Sequence, residues 1–195
     1  MTRAALLGRI AIVTGAGPGL GAAVSRALGA AGASLVLAAR DGRALAALAA
    51  AINAAGGHAV TVPMDATGPA SLRRLVEQTL GAFGRLDAAV NHAPARETSL
   101  AMTYQIPALR PGGRVVNLST GPHAPVIALT RAAARDPAAS AVLVNTVAAG
   151  PYGGAEAVAD AVVRLCSGDV PLATGETWHV PGPRPPGGPP PAPGR

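Results

Sequence analysis

Eight residues near the start of the chain, Thr14-Gly-Ala-Gly-Pro-Gly-Leu-Gly21, have the composition of an anion cradle. At a glycine-rich turn that opens a helix, backbone N–H groups and the positive end of the helix dipole converge, and no side chain blocks the approach. Thr14, Gly15, Gly19, Leu20 and Gly21 are the candidate phosphate-contacting positions. Further along, Arg40 offers a guanidinium suited to a second phosphate. Asp65 offers a carboxylate able to accept from an amine, and Asn91 closes an apolar run. Ser119, Thr120, His123 and Tyr152 carry groups that can move protons. A tyrosine hydroxyl ionises at about 10, so it needs a cationic neighbour or desolvation to act near neutrality. All 16 residues counted as Lys or Arg are arginines, so a lysine ammonium is excluded from any mechanism.

The elements that must hold these residues alternate regularly. Arg9–Val13 is a short, β-branched apolar run and reads as a buried strand; the Ala-rich segment Ala22–Ala31 reads as the helix after it. Ala33–Ala38 predicts a second strand, Gly42–Ala55 a second helix, and His58–Val62 a third strand. Pro69–Phe83 has an apolar face at helical spacing through Leu72, Leu75, Val76 and Leu80. Leu86–Asn91 and Arg114–Ser119 predict two more strands, with the end of a fourth helix between Ala95 and Pro107. A helix over Ile127–Arg135, a strand over Ala141–Asn145, a helix over Ala155–Leu165 and a strand over Glu176–Val180 complete the pattern. Such alternation predicts an α/β fold: a Rossmann-like, doubly wound parallel sheet of about seven strands, helices on both faces, and ligands at the carboxyl ends of the strands. Residues 1–180 read as one domain. Residues 181–195 are mostly proline and glycine and predict a mobile tail.

In such a fold Arg40 ends the second strand about twenty residues after the glycine turn, where an adenine ribose lies. An acidic residue there would favour NAD. Ala39 takes that place and Arg40 follows, which favours NADP, with Asp41 able to reverse the preference. Asp65 follows the third strand and suits the adenine amino group or a helix N-cap.

The collinear set resembles the short-chain dehydrogenase/reductase family. Thr14, Gly15, Gly19 and Gly21 match its Thr-Gly-xxx-Gly-x-Gly motif. Further matches are Asp65, Gly84–Asp87 leading into Ala89-Val-Asn91, Gly112–Ser119, Ala128–Arg131, Val144–Val147 and Thr174–Thr177. The resemblance implies a seven-stranded parallel sheet, NAD(P) binding, and hydride transfer between nicotinamide and a small carbonyl or alcohol. It also implies association through the fourth and fifth helices, hence a homo-oligomer, although both are shortened here.

The catalytic half departs from the family pattern. Its Tyr-xxx-Lys pair has no counterpart, since the tyrosines are Tyr104 and Tyr152 and no lysine exists. Counting forward from the fifth strand puts Ser119 and Thr120 at the family's serine. Counting back from Ala128-Leu-Thr130 puts Ser119 at its tyrosine and His123 at its lysine. A deletion of about the serine-to-tyrosine spacing accounts for both counts. Shortenings at Ala95–Pro107 and Gly150–Gly154 remove the family's catalytic asparagine and the substrate-covering loop. Pro94 replaces a glycine, fixing φ and removing an N–H where the cofactor passes. Tyr152 is the better placed tyrosine; as spectators, it is a turn residue and His123 a loop residue beside prolines. The chain therefore reads as an NAD(P)-dependent oxidoreductase or, alternatively, as a non-catalytic dinucleotide-binding partner subunit.

Composition narrows the remaining classes. The net charge is +6, but the arginines are scattered and aromatic residues make up 2%, which argues against nucleic acid. No apolar run approaches a membrane span, and the N-terminus lacks the pattern of a secretory signal. A single cysteine, Cys166, excludes an internal disulfide and suits a cytoplasmic location. It is expected to pack on a helix face, with Trp178 covering the last strand and His58 and His179 exposed. No metal-ligand spacing is present.

Overall fold

The computed structural model describes residues 5–121, 123–150 and 154–181. Tyr152 and the expected tail from residue 182 onward lie outside the described residues. Among the described residues, seven strands alternate with six α-helices: β1 (Ile10–Thr14), α1 (Leu20–Ala30), β2 (Ser34–Ala39), α2 (Gly42–Ala54), β3 (His58–Pro63), α3 (Pro69–Phe83), β4 (Ala88–Asn91), α4 (Ala95–Gln105), β5 (Arg114–Ser119), α5 (His123–Arg135), β6 (Leu143–Ala149), α6 (Ala155–Ser167) and β7 (Thr177–Val180). All strand pairs are parallel, in the order β3-β2-β1-β4-β5-β6-β7. The order reverses between β1 and β4, and that switch point is where an open α/β sheet presents a crevice.

Both faces of the sheet are covered because the central strands are mostly apolar on both sides, their polar residues falling chiefly toward the strand ends. Ala11, Val13, Leu35 and Leu37 join α1, α2 and α6 in one core, where Val24, Leu45 and Val162 are fully buried. Ile12, Val36 and Ala38 join α3, α4 and α5 in the other, around Leu75 and Met102. Cys166 is buried on α6 as expected, and burial pushes its thiol pKa up to about 12. Trp178 packs on the first core with Arg164 over its ring at 5.2 Å, while His58 and His179 are exposed.

Two elements differ most from expectation. α5 begins at His123 and not Ile127, because Pro125 sits in its first turn, where a missing N–H costs nothing. β6 starts at Leu143 and runs on to Ala149: Ser140 and Val142 N–H groups close a 3-10 turn onto Pro137 and Ala139, which delays the strand.

At the amino ends of the strands, Asp87 ties the sheet together. Its side chain is 1% exposed; Oδ2 accepts from the Ile10 N–H at 2.9 Å, and Arg85 donates to both oxygens at 2.9 and 2.7 Å. Arg9 and Arg110 stand at 3.6 and 3.7 Å. Burial pushes the carboxyl up, but the Arg85 hydrogen bonds, the Ile10 N–H and the charges of Arg85 and Arg9 outweigh it and hold the pKa below the ordinary carboxylate range. Asp87→Ala is expected to cost about 2–3 kcal/mol at neutral pH, because it strands a buried N–H and removes the counter-ion. A depressed folded-state pKa contributes stability that is present above the unfolded value, about 3.9 for Asp, and lost as pH falls through the folded one. Denaturant unfolding of both proteins should therefore show the gap shrinking in acid. A gap that does not change with pH would contradict this role.

Candidate functional site

The crevice at the switch point is a cleft of about 530 Å³ lined by the loops after β1, β2, β3 and β4. Thr14, Gly15, Gly17 and Pro18 form one wall, Arg40 and Asp41 the next, Asp65 and Thr67 the third, and His92, Pro94 and Glu97 the fourth. A second cleft of about 540 Å³ shares His92, Ala93 and Pro94 with the first and extends to Ser119, Thr120 and Pro125. Together they make one trough across the carboxyl ends of β1 to β5.

The glycine turn is shaped by close backbone approach. Gly15 has φ +69°, and a Cβ there would collide with the carbonyl oxygen of His92. A Cβ on Gly21 would collide with the carbonyl oxygen of Gly15, so α1 rests directly on the turn. Gly19 is the α1 N-cap without a side-chain cap bond, and no acidic residue stands in the first turn. Ala22 N–H bonds the Gly17 carbonyl and Ala23 N–H that of Gly19, leaving the N–H groups of Leu20 and Gly21 without an acceptor among the described residues. The Leu20 side chain packs against the first core, which keeps it out of the anion path.

Arg40 is exposed at the end of β2 and lines the cleft. Asp41 is the α2 N-cap, accepting from Arg43 and Ala44 N–H groups at 3.0 Å each. Asp65 Oδ1 accepts from Thr67 N–H at 3.0 Å, whereas the α3 N-cap is Gly68, so the capping role suggested for Asp65 is not the one adopted. Thr67's backbone and side-chain hydrogen bonds and, least of the causes, the nearby Arg40 charge lower the Asp65 pKa.

Asn91 is fully buried and lies under the cleft, not in its wall. Thr14, Asn91, Asn117 and Thr146 stand in register across β1, β4, β5 and β6. Thr14 Oγ1 donates to Asn91 Oδ1 at 2.9 Å; Asn91 Nδ2 donates to Gln105 Oε1 at 2.9 Å and Asn117 Oδ1 at 3.1 Å; Gln105 Nε2 returns a bond to Asn91 Oδ1 at 2.9 Å. Asn117 and Thr146 both donate to Thr130 Oγ1, at 2.9 and 2.8 Å. This row fixes the strand ends that carry the glycine turn and Ser119.

Ser119 is 5% exposed and its Oγ lies 2.8 Å from His123 Nδ1. Thr120 is exposed on the same rim. Two residues not singled out from the sequence also face the trough. His92 borders both clefts, and burial lowers its imidazole pKa, with the Gly15 backbone pulling the other way. Glu97 enters in the first turn of α4 with Oε2 buried and unpartnered among the described residues. Nothing in a single sequence distinguishes Glu97 from a solvated helix residue; only the placement of α4 directly after Pro94 does.

The short chain dehydrogenase family matches residues 9–110, more than half of the chain. The chain belongs to the short-chain dehydrogenase family. An uncharacterized oxidoreductase of Mycobacterium tuberculosis is 44% identical over 84 residues, 43% of this chain and 32% of that protein. Across three such relatives the chain spans 32% to 43% of their length. The 3-oxoacyl-acyl-carrier-protein reductase of Escherichia coli is 25% identical over 90% of this chain and 96% of that one. That alignment runs over 238 positions, more than the 195 residues here, so it carries gaps in this chain, in line with internal shortening. Among solved structures, a metagenomic short-chain oxidoreductase in complex with NADP superposes with TM-score 0.81 at 28% identity, covering 93% of this chain and all of that one. This member of the short-chain dehydrogenase family has no helix long and apolar enough to cross a membrane among its described residues, and no group of three or more metal-ligating side chains there.

Proposed function

We propose that the chain binds a nicotinamide dinucleotide, NADP in preference to NAD, and acts as an oxidoreductase on a small carbonyl or alcohol. The observation that carries this reading is the unblocked glycine turn with free N–H groups at the switch point of the sheet. The residues fit such a ligand. Leu20 and Gly21 N–H groups suit the pyrophosphate. Arg40 suits a 2′-phosphate, and Asp41, engaged as a helix cap, does not compete for the ribose. Asp65 and the unpartnered Glu97 Oε2 are acceptors for amine or hydroxyl groups. Thr14 and Asn91 hold the frame, while Ser119 and Thr120 stand at the reacting end. When bound, the nicotinamide supplies or takes a hydride. The metagenomic relative solved with NADP supports the choice of cofactor.

Calorimetric titration of the purified chain tests this. NADPH is expected to bind saturably and more tightly than NADH, and Arg40→Ala should weaken NADPH about 10- to 100-fold, the worth of a charge-assisted bond of about 1.5–3 kcal/mol. NADH should change less than about twofold, since it lacks the phosphate that Arg40 would pair with. An equal loss for both cofactors would remove the preference for NADP, and no saturable heat at millimolar NADPH would remove the cofactor reading.

A second reading, a non-catalytic dinucleotide-binding partner subunit in a cytoplasmic assembly, is favoured by the lysine-free sequence and by Tyr104, which packs against the second core and lines neither cleft. Turnover with a panel of ketones and quinones separates the two. Activity that disappears in Tyr152→Phe would give Tyr152 a catalytic role; activity that survives it would assign proton transfer elsewhere.

A further inference from the structure

We propose that Ser119 and His123 form the proton-transfer pair of this enzyme. The inference rests on the cofactor reading above. Ser119 Oγ and His123 Nδ1 are 2.8 Å apart, a hydrogen bond in either tautomer. Ser119 ends β5 and lines the second cleft, which joins the dinucleotide trough through His92. His123 opens α5 and is half-buried. The buried row beneath sets this geometry: Asn117, two residues before Ser119 on the same face of β5, bonds Thr130 two turns along α5 from His123. A hydroxyl facing a cleft with an imidazole bonded behind it is the arrangement of an acid–base relay, and an imidazole can exchange protons with water where an arginine cannot.

In the reducing direction, the substrate carbonyl carbon takes a hydride from the reduced nicotinamide dinucleotide while its oxygen takes the Ser119 hydroxyl proton. Ser119 Oγ is reprotonated by the Nδ1–H of the His123 imidazolium. The neutral imidazole then recovers a proton from water. One carbonyl, one reduced cofactor and one solvent proton become one alcohol and one oxidised cofactor. Ser119 is the catalytic residue; His123 acts through it.

Steady-state reduction of diacetyl and ethyl acetoacetate with NADPH tests the relay on the full chain, with NADPH affinity measured separately for each variant. The wild type should reduce at least one probe. Ser119→Ala and His123→Ala should each lower kcat by about 100-fold or more, with KM for NADPH and its Kd within about twofold. Added imidazole should restore turnover to His123→Ala and not to Ser119→Ala, a result that a merely structural histidine would not produce. Nitrogen NMR of the histidine rings, with no cofactor present, should show one Nδ1 signal that moves in Ser119→Ala. Undiminished turnover in both variants, failure of imidazole rescue, or a wild type that binds NADPH but reduces neither probe would overturn the relay while leaving the cofactor site intact. A wild type that binds no NADPH would overturn the cofactor reading and the relay with it.

Discussion

Asn91→Leu is expected to lower the stability of the chain by about 4 kcal/mol, shifting thermal unfolding by roughly 8–16 °C for a domain of this size. Asn91 is fully buried and both ends of its amide are engaged by buried side chains. Removing it leaves both ends of the Gln105 amide and Asn117 Oδ1 without these bonds and Thr14 Oγ1 with only a long one to the Val90 carbonyl, at 3.5 Å, all in residues 2% exposed or less. Each stranded polar group costs about 1–3 kcal/mol, and the network is lost as a unit. Asn145→Ala is the comparison: that residue is also buried but donates one part-buried bond, to the Ala173 carbonyl, and should cost only about 1 kcal/mol. Equal effects at the two positions in calorimetric unfolding would contradict the idea that the row across β1, β4, β5 and β6 is the framework of the site.

Gly15→Ala should be nearly as damaging and should also weaken cofactor binding. Its positive φ costs an alanine about 1–2 kcal/mol. The added Cβ would also overlap the His92 carbonyl, which belongs to backbone held by its own bond to Thr14 and cannot swing aside as a side chain does. The β1–α1 turn must then move off β4, displacing the N–H groups of Leu20 and Gly21. A loss of about 3 kcal/mol and a weakening of NADPH by more than about tenfold are expected. Gly17→Ala is the control for stability: it lacks a positive φ, its Cβ meets nothing within 4 Å, and it should fold within about 0.5 kcal/mol of wild type. A Gly15→Ala protein that melts with wild type and binds NADPH normally would show that the turn is not held by this contact.

The sheet and its covering helices were legible in the sequence because the central strands are continuous apolar runs and each helix repeats at its own period. The anion cradle was legible too, since Gly15 and Gly21 are required by contacts that any βα turn of this kind makes. Cys166 could be recognised as a packing position, but Asp87 entered only as part of a family match, and the three arginines that converge on it come from three separate segments. Pairings between residues on different strands were not legible. Asn91 resembled a cofactor contact, yet its side chain bonds Thr14, Gln105 and Asn117, because register places it beside them and turns it into the sheet. The start of α5 was obscured by Pro125, so His123 read as a loop residue; counting back from Ala128 put it four residues after Ser119 at the family's Tyr-xxx-Lys spacing, but the hydrogen bond between them needed the helix to start at His123. Glu97 and His92 gained their positions from α4 beginning immediately after Pro94, which no local pattern announces.

A crystal structure of the chain grown with NADP tests the central claim most directly. The account predicts the pyrophosphate on the N–H groups of Leu20 and Gly21, the 2′-phosphate beside Arg40, and the nicotinamide in the cleft with Ser119. Density for the cofactor away from the glycine turn, or a trough that stays empty at saturating NADP, would contradict it.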